Sequence, residues 1–132
     1  MSSIVGLGID LVEISRVKRL FESYGESFLS RLCSEEERRD LRGPRLRPES
    51  LAGRLAVKEA ALKAFGTGWA GGLAFPDVVL THENSSGRPV VSLRGNAARR
   101  ARELGVTSIH VSISHDAGVA AAIVVFEGKP CG

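Results

Sequence analysis

Residues 51–66 read LAGRLAVKEAALKAFG, and this stretch decides the fold because it predicts one long helix. At about 100° per residue, its large apolar side chains share one face, and Lys58 projects near the middle of that face. Glu59 and Lys63 lie along one edge and Arg54 along the other. A buried charge is costly unless it is paired or bound to a ligand, so these four groups suggest a site. The alternative is a surface pair of Glu59 with Lys63, with the other two cations reaching solvent.

Length and composition are those of an ordinary globular protein. The 132 residues, 43% hydrophobic and 25% charged, suit a single domain over residues 1–132, with residues 128–132 as a loose tail. No run of about 18 apolar residues occurs and the N-terminus lacks a basic segment, so we expect no signal peptide and no membrane partner. Cys33 and Cys131 lack metal-ligand spacing, which predicts reduced thiols and a cytoplasmic location.

The basic residues are unevenly distributed. The net charge of +3 suits an acidic partner, which at this point is a nucleotide, a nucleic acid or an acidic protein. Arginines and lysines concentrate in the first third of the chain and again in residues 99–102. Aromatic residues are not interleaved with them, which argues against single-stranded nucleic acid. A nucleic-acid-binding module that uses the basic run 38–47 stays open as an alternative.

The remaining pattern predicts short strands and helices around the long helix. Asp10 is expected to end a strand and to N-cap the following helix, and Ser34 to open a capping box. Asn96 is expected to cap a helix that ends at residue 104. Strands are predicted at residues 4–10, 73–82, 89–93, 108–114 and 119–126. The result is an α+β fold in which a mostly antiparallel sheet packs on one long helix, with a modest core that a homo-oligomer would enlarge.

Three positions carry potential chemistry: Asp10, Glu59 and His115. Each has an ordinary interpretation on its own, as a helix cap, a surface charge or a turn residue. Together, two carboxylates without a His/Cys cluster suit a hard cation such as Mg²⁺, which takes one or two carboxylates and phosphate oxygens. Positive charge for the same phosphates is available from nearby basic residues, namely Arg54, Lys58, Lys63 and His115. This inventory fits phosphoryl-group chemistry without a P-loop.

Three motifs bring a specific resemblance. GLGIDLVEISR at 6–16, AGRLAVKEAALKAFGTG at 52–68 and HVSISH at 110–115 resemble holo-[acyl-carrier-protein] synthase, the short group of 4′-phosphopantetheinyl transferases. The similarity runs through essentially the whole chain in the family's order and spacing. Leu55, usually aromatic in the family, and Val57, usually smaller, depart from the pattern but stay apolar. The resemblance implies the 4′-phosphopantetheinyl transferase fold and a homotrimer with active sites between subunits.

The resemblance also implies a set of site residues. Asp10 and Glu59 would bind Mg²⁺ and act in catalysis together with Lys63. Contacts with the substrate coenzyme A would come from Arg54, Lys63, Gly66, Gly87, Pro89 and His115. An acidic acyl-carrier protein would meet Arg16. The pattern of the first helix extends this partner face to Arg19, with apolar contact from Leu20 and Phe28, and the alternative is a solvated helix face.

The implied reaction transfers 4′-phosphopantetheine from coenzyme A to a serine of the apo-carrier and releases adenosine 3′,5′-bisphosphate. Glu59, directly or through a metal-bound water, is the best candidate for the base, and both routes stay open. A non-catalytic subunit that binds coenzyme A or a carrier is the second alternative, although the complete set of Asp10, Glu59 and Lys63 argues against it. The sequence does not select the natural carrier, and it does not say whether acyl-coenzyme A is accepted.

Overall fold

The long helix predicted from residues 51–66 is the centre of the structure, a computed structural model that describes residues 2–66 and 72–129. This helix, α4, begins at Pro48, ends at Phe65 and is closed by Gly66 in the left-handed conformation. The other helices and the strands, in chain order, are β1 (Ser3–Glu13), α1 (Ile14–Tyr24), α2 (Glu26–Leu32), α3 (Glu35–Asp40), β2 (Val78–His82), β3 (Pro89–Leu93), α5 (Gly95–Leu104), β4 (Val106–Asp116) and β5 (Val119–Gly128). Two short 3₁₀ turns, Gly43–Arg45 and Phe75–Asp77, precede α4 and β2.

Two antiparallel sheets surround α4. The larger sheet has the order β1-β5-β4, and β2 and β3 form a separate hairpin. β1 approaches the α4 backbone so closely that a Cβ at Gly8 would lie 1.8 Å from the Ala60 carbonyl oxygen, and one at Gly6 would lie 2.2 Å from that of Ala64. The α+β prediction of antiparallel strands on one long helix is therefore confirmed, and two glycines explain how tightly the strand packs.

Burial of α4 extends much further than one face. Ala52, Ala56 and Ala60 are as fully buried as Leu51, because the sheet covers one side of the helix and the other elements enclose the rest. Within residues 2–66 and 72–129, no helix is both long and apolar enough to cross a membrane. Cys33 is buried and is not in a disulfide, and burial raises the pKa of its thiol to about 11, which makes it unreactive. Cys131 lies outside the described residues.

The position of Lys58 contradicts both predictions for it, a ligand site and a cation that reaches solvent. Its side chain is completely buried, and its ammonium donates to Glu37 Oε1 at 2.7 Å, to the Phe75 carbonyl at 2.9 Å and to the Val78 carbonyl at 2.5 Å. Each of the three ammonium protons therefore has an acceptor. Lys58 neither reaches solvent nor supplies charge to a phosphate, so its predicted role in a ligand site is wrong.

Two predicted helix caps are also wrong. Asp10 lies inside β1, opposite Ala122 of β5, because β1 continues to pair with β5 as far as Glu13 and α1 begins only at Ile14. Asn96 lies within α5, whose N-cap position is Arg94, and the Asn96 side chain donates to the Gly72 carbonyl instead. In both cases pairing with a distant segment outweighs the local capping signal.

The Ser34 capping box is confirmed, with reciprocal bonds between Ser34 and Glu37. The β2–β3 hairpin is confirmed as well, although the predicted strand 73–82 is shortened to β2 by the 3₁₀ turn before it. Gly128 pairs with Ser3 and Val106 at the end of the larger sheet, and the Lys129 N–H donates to the Gly105 carbonyl at 3.0 Å, so the prediction of a loose tail is wrong for residues 128 and 129. Residues 130–132 lie outside the described residues.

The larger sheet has one face on α4 and one face that residues 2–66 and 72–129 leave uncovered. Side chains on this outer face of β1 are Leu7, Ile9 and Leu11, which are 57%, 60% and 67% exposed. Ile123 of β5 lies directly opposite Ile9 and extends the same apolar surface. A contiguous exposed apolar sheet face of this kind is typical of an interaction surface.

Candidate active site

Asp10 and Glu59 meet where β1 crosses α4. Successive residues of a strand alternate between faces, so Gly8 and Asp10 point to the same side, towards the helix. Gly8 contacts the backbone of Ala60, the residue after Glu59, and thereby brings the Asp10 side chain to the Glu59 side chain. The two carboxylates, 49 positions apart in the sequence, are close enough to share a hydrogen bond when one is protonated.

The pKa of Glu59 is raised from its usual 4.5 to about 7. Burial is the main cause, and the neighbouring Asp10 carboxyl adds to it by accepting a hydrogen bond from protonated Glu59 and by repelling the ionised form. Arg16 and Lys63 oppose the shift through their positive charges. A carboxyl group with this pKa can take up or release a proton near neutral pH, which general acid–base catalysis requires.

The Asp10 carboxylate is only partly satisfied by the chain. Oδ1 accepts from the Lys63 ammonium at 3.0 Å, and the same ammonium donates to the Ile9 carbonyl at 3.0 Å. Oδ2 is buried, and apart from a protonated Glu59 no group in the described part of the chain donates to it. A buried carboxylate oxygen without a donor beside a second carboxyl group fits a divalent cation.

The donor set suits Mg²⁺ in kind and number. Within the described ranges there is no group of three or more His, Cys, Asp or Glu side chains that could hold a metal. A site with two carboxylates is nevertheless the usual arrangement for Mg²⁺, which completes its shell with waters and substrate phosphates. The remaining Mg²⁺ ligands would therefore be waters and phosphate oxygens of a substrate that binds beside the exposed Lys63 side chain.

Arg54 lies elsewhere on α4, beside a cavity of about 470 Å³. Only 5% of the residue is exposed, and its Nε is 3.4 Å from Glu37 Oε2. The cavity is lined by Asp40, Leu41, Pro44, Arg45, Arg47, Ser50, Arg54, His82, Glu83 and Asn84. Its three arginines outnumber its two acidic residues, Asp40 and Glu83, which makes it a candidate site for a phosphate group.

The sequence shows Arg45 and Arg47 only as part of the basic run 38–47, so their place in the lining of the Arg54 cavity was not predicted. Their position directly before α4 was a usable signal. Arg54 lies in the first half of α4, so the loop that precedes the helix starts near it. His82 was also missed. Burial lowers the pKa of His82, the Arg54 charge lowers it further, and Asp40 opposes both.

His115 is not brought to Asp10 and Glu59 within one chain. Its Nε2 lies 3.2 Å from the Glu49 carbonyl, and a Cβ at Gly53 would lie 3.3 Å from that nitrogen. His115 therefore packs on the first half of α4. Glu59 follows Gly53 by six residues, or about 9 Å along the helix axis.

The predicted glycine and proline contacts are separated too. Gly66 closes α4 one turn beyond Lys63. Gly87 and Pro89 belong to the β2–β3 hairpin, where Pro89 pairs with His82 beside the Arg54 cavity. The predicted coenzyme A contacts thus fall into three places: the Lys63 end of α4, the Arg54 cavity and the His115 surface.

The predicted partner residues divide in a similar way. Leu20 and Phe28 line one surface cavity of about 530 Å³ together with Tyr24, Ser27 and Arg31, of which Tyr24 and Arg31 were not anticipated. Arg16 lies near enough to Glu59 to lower its pKa. Arg19 is on the same helix, one turn from Arg16.

Comparison with known proteins gives a consistent family. The model of the 4′-phosphopantetheinyl transferase superfamily matches residues 6–124. A holo-[acyl-carrier-protein] synthase of Desulfovibrio desulfuricans is 48% identical over 124 residues, which cover 94% of this chain and 98% of that protein. The protein of the same name from Solidesulfovibrio magneticus is 46% identical over 123 residues, 93% of this chain and 98% of its own.

Solved structures agree with these relatives. The holo-[acyl-carrier-protein] synthase of Neisseria meningitidis is similar with a TM-score of 0.84 at 30% identity, over 94% of this chain and 98% of that one. The Helicobacter pylori structure, determined in complex with coenzyme A, gives a TM-score of 0.78 at 32% identity, over 91% and 98%. The expected fold and the resemblance based on the three motifs are confirmed. The chain belongs to the 4′-phosphopantetheinyl transferase superfamily and is an enzyme of that family.

Proposed function

We propose that this enzyme transfers 4′-phosphopantetheine from coenzyme A to a serine of an acidic apo-acyl-carrier protein, in a Mg²⁺-dependent reaction within the cytoplasm. The products are the holo-carrier and adenosine 3′,5′-bisphosphate. The observation that carries the proposal is the meeting of Asp10 and Glu59, with the buried Asp10 Oδ2 lacking a donor apart from Glu59. The coenzyme A complexes among the similar structures support the substrate.

Asp10 and Glu59 would hold the Mg²⁺, which when bound neutralises charge on the pyrophosphate of coenzyme A. The serine Oγ attacks the β-phosphorus, a new P–O bond forms, and the bond to the oxygen bridging towards the α-phosphorus breaks. Glu59 would receive the serine proton, either directly or through a metal-bound water. Lys63, with its side chain 56% exposed, is suited to stabilise negative charge on the phosphates.

Binding of coenzyme A would use two further regions. The cavity with Arg45, Arg47 and Arg54 concentrates positive charge and is the proposed position of a phosphate at the nucleotide end. Gly87 and Pro89 border this region through the hairpin, and Gly66 lies beside the Lys63 end. These positions stay proposals for the substrate contacts.

Assembly of the complete site would require other copies of the chain. The outer face of the larger sheet, with Leu7, Ile9 and Leu11, is the proposed interface of a homotrimer. A neighbouring copy would then contribute the His115 that one chain keeps away from Asp10 and Glu59. This arrangement explains why a short chain divides its predicted contacts among separate surfaces.

The carrier would dock on α1 and α2. Leu20 and Phe28 share a cavity with an exposed tyrosine, and Arg31 lies at the same cavity. Arg16 and Arg19 add positive charge on α1, which would steer an acidic carrier towards Glu59.

Mass spectrometry of an apo-carrier mixed with coenzyme A tests the proposal. We expect a mass gain of one phosphopantetheinyl group that needs Mg²⁺ and disappears with a chelator. Binding of coenzyme A without any mass gain would instead identify a non-catalytic subunit. Affinity for any duplex that falls steeply with salt, again without mass gain, would identify a nucleic-acid-binding module.

A further inference from the structure

Three charged side chains form a buried cluster away from Asp10 and Glu59. Glu37 and Lys58 are completely buried, and Arg54 is 5% exposed. Lys58 Nζ is 2.7 Å from Glu37 Oε1, and Arg54 Nε is 3.4 Å from Glu37 Oε2. Two cations and one anion leave one positive charge in excess. Since Lys58 is fully bonded to Glu37 and two carbonyls, that excess charge lies on Arg54.

The Arg54 guanidinium is oriented by its ion pair with Glu37. Its Nε is buried and has no hydrogen-bond partner within residues 2–66 and 72–129. Glu37 is the acidic group that forms an ion pair with it. Packing holds the stem of this buried side chain, and removal of Glu37 would take away the anion that orients its guanidinium.

Glu37 also joins the elements that form the walls of the Arg54 cavity. It belongs to α3, whose last residue Asp40 lines the cavity. Its Oε2 accepts from the Leu80 backbone N–H at 3.3 Å, which fixes β2 two residues before His82, another lining residue. Through Lys58 it fixes α4. One carboxylate therefore holds together α3, α4 and β2, each of which supplies part of the cavity.

We propose that Glu37 is a positioning residue for substrate binding: it holds Arg54, and the walls around it, in the geometry that receives a phosphate of coenzyme A. The proposal rests on the proposed use of coenzyme A. Glu37 does not touch the substrate and acts through Arg54. Substitution of a purely structural residue would lower stability, kcat and coenzyme A affinity together. Substitution of a positioning residue would mainly weaken coenzyme A binding.

The obvious substitution, Glu37→Gln, leaves Lys58 as an unpaired buried charge and can unfold the chain for that reason alone. The matched control is Lys58→Met, which keeps the Glu37–Arg54 pair. The test variant combines Glu37→Gln with Lys58→Met, so that the two proteins differ only at residue 37. Both are also made with Arg54→Lys, which keeps a cation beside Glu37 and removes the guanidinium.

Circular dichroism and thermal unfolding establish that each variant folds, and calorimetry with coenzyme A gives its dissociation constant. We expect Lys58→Met to bind coenzyme A within about threefold of wild type. The additional Glu37→Gln should raise the dissociation constant about tenfold, with kcat changed by less than about threefold. With Arg54→Lys present, the same change at residue 37 should alter binding by less than about twofold.

Three results would overturn the proposal. One is unchanged coenzyme A binding on Glu37→Gln in the Lys58→Met protein. Another is an equal loss with and without Arg54, because the effect would then not pass through Arg54. The last is failure of every variant at residue 37 to fold, which would make Glu37 a residue of the fold alone. Failure of the wild-type protein to bind coenzyme A or to modify a carrier would refute the proposed function instead, and it is measured first.

Discussion

Replacing Gly8 with alanine tests how the chain brings Asp10 to Glu59. A Cβ at Gly8 would lie 1.8 Å from the Ala60 carbonyl oxygen and 2.9 Å from the Ala64 nitrogen. Ordinary contact begins at 3.4 Å, so β1 and α4 must move apart locally by about 1.6 Å. Both sides of the contact are backbone, and no side-chain rotation can relieve it.

The expected cost follows from that displacement. Overpacking in a well-packed interior lowers the free energy of unfolding by about 1–3 kcal/mol. Misplacement of a reacting group by about 1 Å costs on the order of a hundredfold in rate, and Asp10 lies only two residues from Gly8. We therefore expect transfer to fall at least about a hundredfold, and the pKa of Glu59 to move from about 7 back towards 4.5 as Asp10 withdraws.

Urea unfolding, the mass-shift assay for transfer and an NMR titration of the Glu59 side chain measure these three effects. Gly53→Ala is the matched control, because its Cβ would meet side-chain atoms and no backbone, namely His115 Nε2 at 3.3 Å and Ile113 Cγ2 at 3.6 Å. The ring can shift slightly, and alanine favours the helix by up to about 1 kcal/mol, so its stability should change little. Wild-type stability and transfer in Gly8→Ala would refute the proposed role of the close β1–α4 contact.

The remaining predictions concern the proton, the carrier and the assembly. Glu59→Gln should abolish transfer in a folded protein; near-normal turnover would remove Glu59 from the mechanism. Because the pKa of Glu59 is raised, its contribution to stability is complete below 4.5 and is lost as the pH rises to about 7, so thermal unfolding without metal should depend less on pH in Glu59→Gln than in wild type. Arg16→Glu should raise the carrier KM strongly and leave coenzyme A binding nearly intact, while equal damage to both would indicate misfolding. Ile9→Glu should shift the oligomer towards monomer in light scattering; an unchanged mass would contradict the proposed interface.

Much of the fold could be predicted because its signals are local. The capping box at Ser34, the turn between β2 and β3 and the helix end at Gly66 each depend on residues within one turn of each other. The Asp10 cap failed because β1 pairs with β5, more than a hundred residues later in the chain. Local capping preferences are worth about 1 kcal/mol, less than the several strand bonds and packed side chains that replaced them.

The proximity of three predicted site residues could be read from the sequence, whereas the positions of most other predicted contacts could not. Asp10, Glu59 and Lys63 meet as expected, since their motifs share one strand and one helix. Lys58 was misassigned because its partner Glu37 lies in a different helix, and periodicity alone cannot show that a face of α4 is covered. The cavity around Arg54 was missed because its walls come from the end of α3, the loop before α4, α4 itself and the end of β2.

The central claim is that Asp10 and Glu59 share one divalent ion next to coenzyme A. Crystals grown with coenzyme A and Mn²⁺ in place of Mg²⁺ test it directly, because anomalous scattering locates the ion without reference to activity. We expect one anomalous peak between the Asp10 and Glu59 carboxylates, coordinated by Asp10 Oδ2. A coenzyme A complex with no peak there, or with the ion bound by other residues, would contradict the claim.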